Sequence, residues 1–216
     1  MIYENNPACV KVSRREWAPL LARGLTGMTK NSSIRIHVAL DRAARLLRAR
    51  EHEGSLNPAQ WQALRYISRC NRFSNTPVLL GRYLAATKGT VSQTLSTLAR
   101  KGLIEKTPRA GGGLSLSLTP AGEEKLGEDP ANAFLSRLDA LQPRQRAALV
   151  SELETVILPA LGGEAGESGF GPCRACRYFR RRGARKTKGG PHFCWLFEAP
   201  LSKAESRRIC AEFMPE

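Results

Sequence analysis

Nothing in the 216-residue sequence amounts to a run of about 18 apolar residues, so no segment suits a helix that crosses a bilayer. The first 30 residues lack the continuous apolar core of a secretory signal and contain Arg14, Arg15, Arg23 and Lys30. The chain is therefore expected in a reducing cytoplasm, where disulfides do not persist. No segment repeats. His37, His52, His192 and the scattered carboxylates form no nucleophile–base pattern, so an enzyme is not expected. Negative charge is scarce as well, with 19 Asp and Glu against 34 Lys and Arg, a net charge of +15. Yet 42% of the residues are apolar, which marks a globular chain of one or two domains and not a disordered basic tail. The cationic excess makes a polyanion the expected partner, nucleic acid ahead of membrane.

Composition divides the chain into an N-terminal extension (1–31, interrupted by Pro7 and Pro19), a helical stretch (32–160), a glycine-rich linker (161–172) and a basic tail holding four of the six cysteines (173–216). Helix punctuation is clear in the second stretch. Ser33 can cap a helix whose Ile36, Leu40, Ala43 and Leu47 share a face. Asn57-Pro58 opens a second, with Trp61, Leu64, Ile67 and Cys70 inward, and Trp61 and Tyr66 are expected in the core. Thr76-Pro77 opens a third before Val78, Leu79 and Leu84. A fourth follows Thr87-Lys88-Gly89, with Val91, Leu95 and Leu98 inward and Gly102 as its stop. The period then changes. Residues 103–106 and 114–118 suit strands around a basic tip at 108–113. Thr119-Pro120, Asp129-Pro130 and Gln142-Pro143 start further helices, the last ending near Pro159.

Two short helices followed by a hairpin predict a winged helix-turn-helix, mainly α with a small β-hairpin wing. The fourth helix carries Thr90, Ser92, Gln93 and Thr94 near its N-terminus, small polar residues suited to a major groove. Gln93 can read an adenine bidentately, Lys88 and Arg100 suit phosphates, and Arg109 at the tip suits a minor groove or the backbone.

Residues 56–125 resemble the multiple-antibiotic-resistance regulator (MarR) family of bacterial transcription factors. The resemblance rests on residues 56–61 (LNPAQW), 90–93 (TVSQ), 98–104 (LARKGLI) and 118–122 (LTPAG). It implies a homodimer on a palindromic double-stranded DNA operator, with half-sites roughly 34 Å apart. The interlocking dimer helices would be residues 33–50 and 130–158. It also implies a protein associated with the nucleoid through DNA, and a small-molecule effector that the sequence does not specify. The family's wing usually carries an Asp-x-Arg pair, and the Asp is missing here.

The tail reads Cys173-Arg-Ala-Cys176, then 17 residues to Cys194 and 15 more to Cys210. A CxxC turn brings two thiolates to one metal and two further cysteines complete four-coordination, by zinc or an iron–sulfur cluster. One CxxC with two single cysteines resembles the cluster-binding part of high-potential iron–sulfur proteins, although both long spacings exceed the usual ones. That resemblance implies a [4Fe-4S] cluster as cofactor, with Zn2+ as the alternative. Tyr178, Phe179, Trp195, Phe197 and Phe213 follow the cysteines closely and can line such a site. His192, two residues before Cys194, is expected at the surface or beside the site, with replacement of a cysteine as the alternative. Arg177, Arg180, Arg181, Arg182, Arg185, Lys186 and Lys188 either offset thiolate charge or hold DNA phosphates. The architecture expected is a winged helix-turn-helix dimer plus a small C-terminal metal-binding module. It would be a transcription regulator whose cluster senses redox state or iron. The other readings are a regulator with structural zinc and an electron-transfer protein docked on a winged helix.

Overall fold

The computed structural model describes residues 32–52, 54–157, 169–181 and 189–215. The extension 1–31 with Cys9, linker residues 161–168, the helix end at Pro159, and Arg182, Arg185, Lys186 and Lys188 lie outside the described residues. The chain divides into two units, Met1–Ala49 and Arg50–Glu216.

The described part of the first unit, residues 32–49, belongs to helix α1, Ser32–Glu51, whose last two residues fall in the second unit. This helix begins before Ser33, which lies inside it. Ile36 and Leu40 of the anticipated face are exposed, as are Ile34 and Leu46. Ala43 and Leu47 are half-buried.

In the second unit, α2 (Pro58–Arg69) starts where expected. Asn57 Oδ1 accepts from the Gln60 amide (2.9 Å), and Gln60 Oε1 accepts from the Asn57 amide (3.3 Å). These two bonds satisfy two otherwise orphaned helix-end donors. The stripe of Trp61, Leu64, Ile67 and Cys70 is buried, and so is Tyr66. Helix α3 (Pro77–Leu84) is capped by Thr76 and ends at Ala85 in the left-handed region (φ 49°). It contributes Leu80 to the core and leaves Val78 exposed. Helix α4 (Lys88–Arg100) is capped by Thr87, buries Val91, Leu95 and Leu98, and stops before Gly102 at φ 71°. Strand β1 (Ile104–Pro108) pairs antiparallel with β2 (Leu114–Leu118), Ile104 opposite Leu118. The first strand runs two residues further than the alternation predicts, which shortens the tip to 109–113. Helices α5 (Pro120–Gly127), α6 (Asn132–Asp139) and α7 (Pro143–Glu152) follow, the last continuing as a wider π turn over Leu153–Ile157. The described chain up to here is mostly helical with one small hairpin.

The C-terminal segment folds into short strands that periodicity does not predict. Strand β3 (Gly169–Pro172) pairs antiparallel with β7 (Ile209–Phe213). Strands β4 (Phe179–Arg181), β5 (His192–Cys194) and β6 (Ala199–Leu201) form an antiparallel sheet in that order. The last four residues of the expected linker are thus a strand, and their composition has a packing reason. Phe170 sits edge-on to Tyr66 (6.1 Å) and Tyr83 (5.1 Å). A Cβ on Gly171 would fall 2.5 Å from the Phe213 ring. The glycine permits close approach here and does not mark a flexible tether.

Candidate nucleic-acid interface and four-cysteine site

Because Val91, Leu95 and Leu98 bury one face of α4, its opposite face is presented outward. Thr90, Ser92, Gln93 and Arg100 are exposed away from the buried face, and Lys88 is exposed at the helix start. Thr94 is not. It lies on the buried face beside Leu95, since three residues after Val91 is the same side of a helix. The expectation that Thr94 reaches a base edge is corrected accordingly. Arg109 is half-exposed at the tip, where its amide donates to Gly113 O (3.1 Å) and its carbonyl accepts from Gly112 (3.1 Å). Gly111, Gly112 and Gly113 all have positive φ, which a tight tip of this shape requires.

Arg65 on α2 clamps the helical part together. Its guanidinium grips the Asp129 carboxylate bidentately and also pairs with Glu51. Glu51 and Asp129 are buried. Burial alone would push the Asp129 carboxyl up, but the Arg65 bonds and the Ala131 amide outweigh it and hold the group below the usual carboxylate range.

Cys173, Cys176, Cys194 and Cys210 line one narrow pocket that is partly open to solvent. The 3-10 turn Cys173–Ala175 closes with the Cys176 amide donating to Cys173 O (3.1 Å). Cys194 arrives on β5, opposite Phe179 on β4, and Cys210 on β7, opposite Gly171. Cys173, Cys176 and Cys210 are buried, and Cys194 is half-buried. Tyr178, Phe179, Phe197 and Leu201 complete an apolar wall, and Phe213 packs behind it. Trp195 takes no part, being 60% exposed and edge-on to Phe193. His192 is half-buried against Phe179.

The sulfurs have hydrogen-bond donors. Asn71 Nδ2 donates to Cys173 Sγ (3.2 Å), and the Met214 amide to Cys176 Sγ (3.5 Å). The bond shared with Cys173 draws the Cys210 thiol down, against burial, and Asn71 and Ser74 act in the same direction. The same shared bond, together with burial, pushes Cys173 up. Among the described residues no three His, Cys, Asp or Glu side chains are arranged to hold a single metal ion. The four thiols face a common pocket without converging on a point.

Residues 55–113 match the model of the MarR family. No curated protein matches the chain. Solved structures similar to it include a glycine-to-lysine mutant of MepR from S. aureus (18% identity, covering 61% of this chain and 98% of that one, TM-score 0.47). Another is a cysteine-to-serine mutant of MarR from E. coli complexed with operator DNA (23% identity, 58% and 92% covered, TM-score 0.43). A third is BpsR of Bordetella bronchiseptica, whose DNA binding is regulated by 6-hydroxynicotinic acid (19% identity, 60% and 95% covered, TM-score 0.44).

The MarR-like match stops well before the cysteines, yet the structure joins the two parts through a loop that sequence reading passed over. Residues 71–75, between α2 and α3, meet the cysteine segment at many points. The Asn71 amide donates to Ile209 O (2.8 Å) and the Ala211 amide to Ser74 Oγ (2.8 Å). Arg72 pairs with Glu205 and donates to Pro200 O (2.6 Å). Asn71 and Ser74 are buried polar residues in a chain position that looks like an ordinary turn. Only their pairing with a distant segment explains them, and a single sequence does not display that. Arg174, Arg177, Arg180 and Arg181 are exposed on the cysteine segment. Among the described residues no helix is long and apolar enough to cross a membrane.

Proposed function

We propose that the chain is a MarR-type transcription regulator that binds a palindromic DNA operator as a homodimer in the bacterial cytoplasm, and that its four cysteines hold a [4Fe-4S] cluster. The observation that carries the DNA reading is the outward face of α4, where Gln93, Ser92 and Thr90 stand between the cations Lys88 and Arg100 beside a glycine-tipped wing with Arg109. Gln93 reads bases, and the cations set position on phosphates. The match of residues 55–113 to the MarR family supports it. The exposed apolar residues of α1 and the exposed Val150 and Val156 near the end of the helical part suit a dimer interface.

The cysteine set fits a cluster on three counts. Four thiols line one pocket, the wall is apolar, and amide donors reach two of the sulfurs. One zinc at about 2.3 Å from each sulfur needs the four to meet at a point, whereas a cubane gives each thiolate its own iron and spreads them. Bound there, the cluster supplies a redox-active, iron-dependent group, and the regulator senses redox state or iron. The test is anaerobic purification with metal analysis, a visible spectrum and duplex selection from a random-sequence pool. A brown protein with about four iron and four sulfide per chain that enriches a palindrome supports the reading. A colourless protein with about one zinc per chain rejects the cluster, and recovery of no preferred duplex rejects the DNA reading.

A further inference from the structure

The four-cysteine pocket and the wing are joined by one short loop. Asn71, wholly buried, makes three side-chain bonds there. Its Oδ1 accepts from the Phe73 amide (3.0 Å) and the Ser74 amide (3.0 Å), which fixes which end of the carboxamide is oxygen. The opposite end, Nδ2, therefore points its hydrogens at Cys173 Sγ (3.2 Å). Three residues on, Ser74 Oγ accepts from the amide of Ala211, the neighbour of Cys210 (2.8 Å). The next residue faces the other way. Asn75 Nδ2 donates to Ser115 Oγ (2.7 Å) and Leu116 O (3.0 Å), and the Leu116 amide donates to Asn75 O (2.8 Å). Ser115 and Leu116 belong to wing strand β2, and Thr76, the following residue, caps α3.

We propose that the Asn71–Asn75 loop transmits the occupancy of the four-cysteine site to the wing, with Asn71 as the positioning residue at the cysteine end and Asn75 at the wing end. The inference rests on the reading of the four cysteines as one metal-holding site. Cys173 and Cys210 come from chain segments 37 residues apart, and a bound group pins both. While it does so, Cys173 Sγ stands where Asn71 can donate, and Ala211 stands where Ser74 can accept. When the group is gone, β3 and β7 still pair, but the Cys173 and Cys210 side chains are no longer pinned to one another, so the bonds from Asn71 to Cys173 Sγ and from Ala211 to Ser74 loosen and Asn75 holds β2 less firmly. Such a chain of buried and half-buried hydrogen bonds is a physical connection, and coupling along it is measurable.

The experiment compares full-length protein purified anaerobically with the same protein stripped by a chelator, reading metal and sulfide content and hydrogen exchange at the Ser74 and Leu116 amides. Stripping is expected to speed exchange at Leu116 about tenfold, within the usual range of coupling between sites. In Asn75→Ala the metal content stays at the wild-type level and the difference between loaded and stripped protein vanishes. In Asn71→Asp, which keeps the two accepted bonds but replaces the donor to sulfur with a buried negative charge, the difference vanishes too at matched metal content. A difference that persists undiminished in both variants overturns the loop inference and leaves the metal reading standing. A wild-type protein free of iron, sulfide and zinc removes the metal reading, and the inference falls with it.

Discussion

Phe73 and Phe197 stack nearly parallel, their ring centroids 4.1 Å apart and their planes 6° from one another. The first belongs to the loop after α2, the second to the wall of the cysteine pocket, and Arg72 lies over the Phe73 ring at 4.7 Å. This stack is an apolar contact between that loop and the cysteine segment. Both rings are half-buried, so Phe197→Ala is expected to cost about 2 kcal/mol, less than the 3–5 of a fully enclosed phenylalanine. Urea unfolding measures it. Hydrogen exchange across residues 209–213 should rise more than in α4, and a uniform rise would show that the stack does not localise docking.

The Arg65 clamp predicts an acid-sensitive step. Asp129 is held below its ordinary pKa, so its contribution is fully present above the unfolded value of about 3.9 and disappears as pH falls through the lower folded value. Asp129→Asn leaves the guanidinium with Glu51 alone, and the loss at pH 7 is about 3 kcal/mol, the low end for breaking a buried pair. The variant should also lose part of the wild-type decline in stability between about pH 5 and pH 2. Urea midpoints across that range decide it. Parallel curves for the two proteins would contradict the assignment.

How far the sequence reaches can be judged from particular residues. Pro58, Pro77 and Pro120, each preceded by Asn or Thr, mark helix starts because a cap and a fixed φ act within four residues, and the structure has all three. The face of α4 was legible from period alone except at Thr94, whose polarity suggests surface while its spacing from Val91 puts it inside. The strands around the cysteines were not legible. Three-residue strands such as His192–Cys194 carry no measurable alternation, and their pairing is decided by partners far along the chain. Asn71 and Ser74 were hidden for the same reason.

The split between Gln93 and Thr94 predicts opposite phenotypes in adjacent residues. Gln93→Ala should cost about 1–3 kcal/mol of discrimination at one base position and leave folding unchanged. Thr94→Ala should lower stability by about 1 kcal/mol and keep the same preferred sequence. Binding to single-base operator variants, paired with thermal unfolding of each protein, separates the two. A relaxed base preference in Thr94→Ala would put the wrong face of α4 toward DNA.

Arg109→Ala tests the wing without touching the core. A contact to phosphate or to the minor groove predicts weaker binding by a similar factor on every sequence, and a salt slope shallower by about 1. Titrations at several salt concentrations measure it. An unchanged slope would remove Arg109 from the interface and leave the wing to act through shape.

Gly122 reverses the ordinary rule for a helical glycine. Replacing glycine by alanine inside a helix usually gains roughly 0.5–1 kcal/mol by restricting the unfolded chain. Here a Cβ would lie 2.0 Å from Leu103 O, and that carbonyl also accepts from the Thr119 amide at 3.2 Å. Neither side can yield cheaply, because one is helix backbone and the other is the first turn into the wing. Gly122→Ala should therefore destabilise by more than about 2 kcal/mol and disturb β1, whose Ile104 follows Leu103 directly. Thermal unfolding with hydrogen exchange at residues 104–108 measures both effects. A neutral or stabilising outcome would mean that α5 and the wing separate freely.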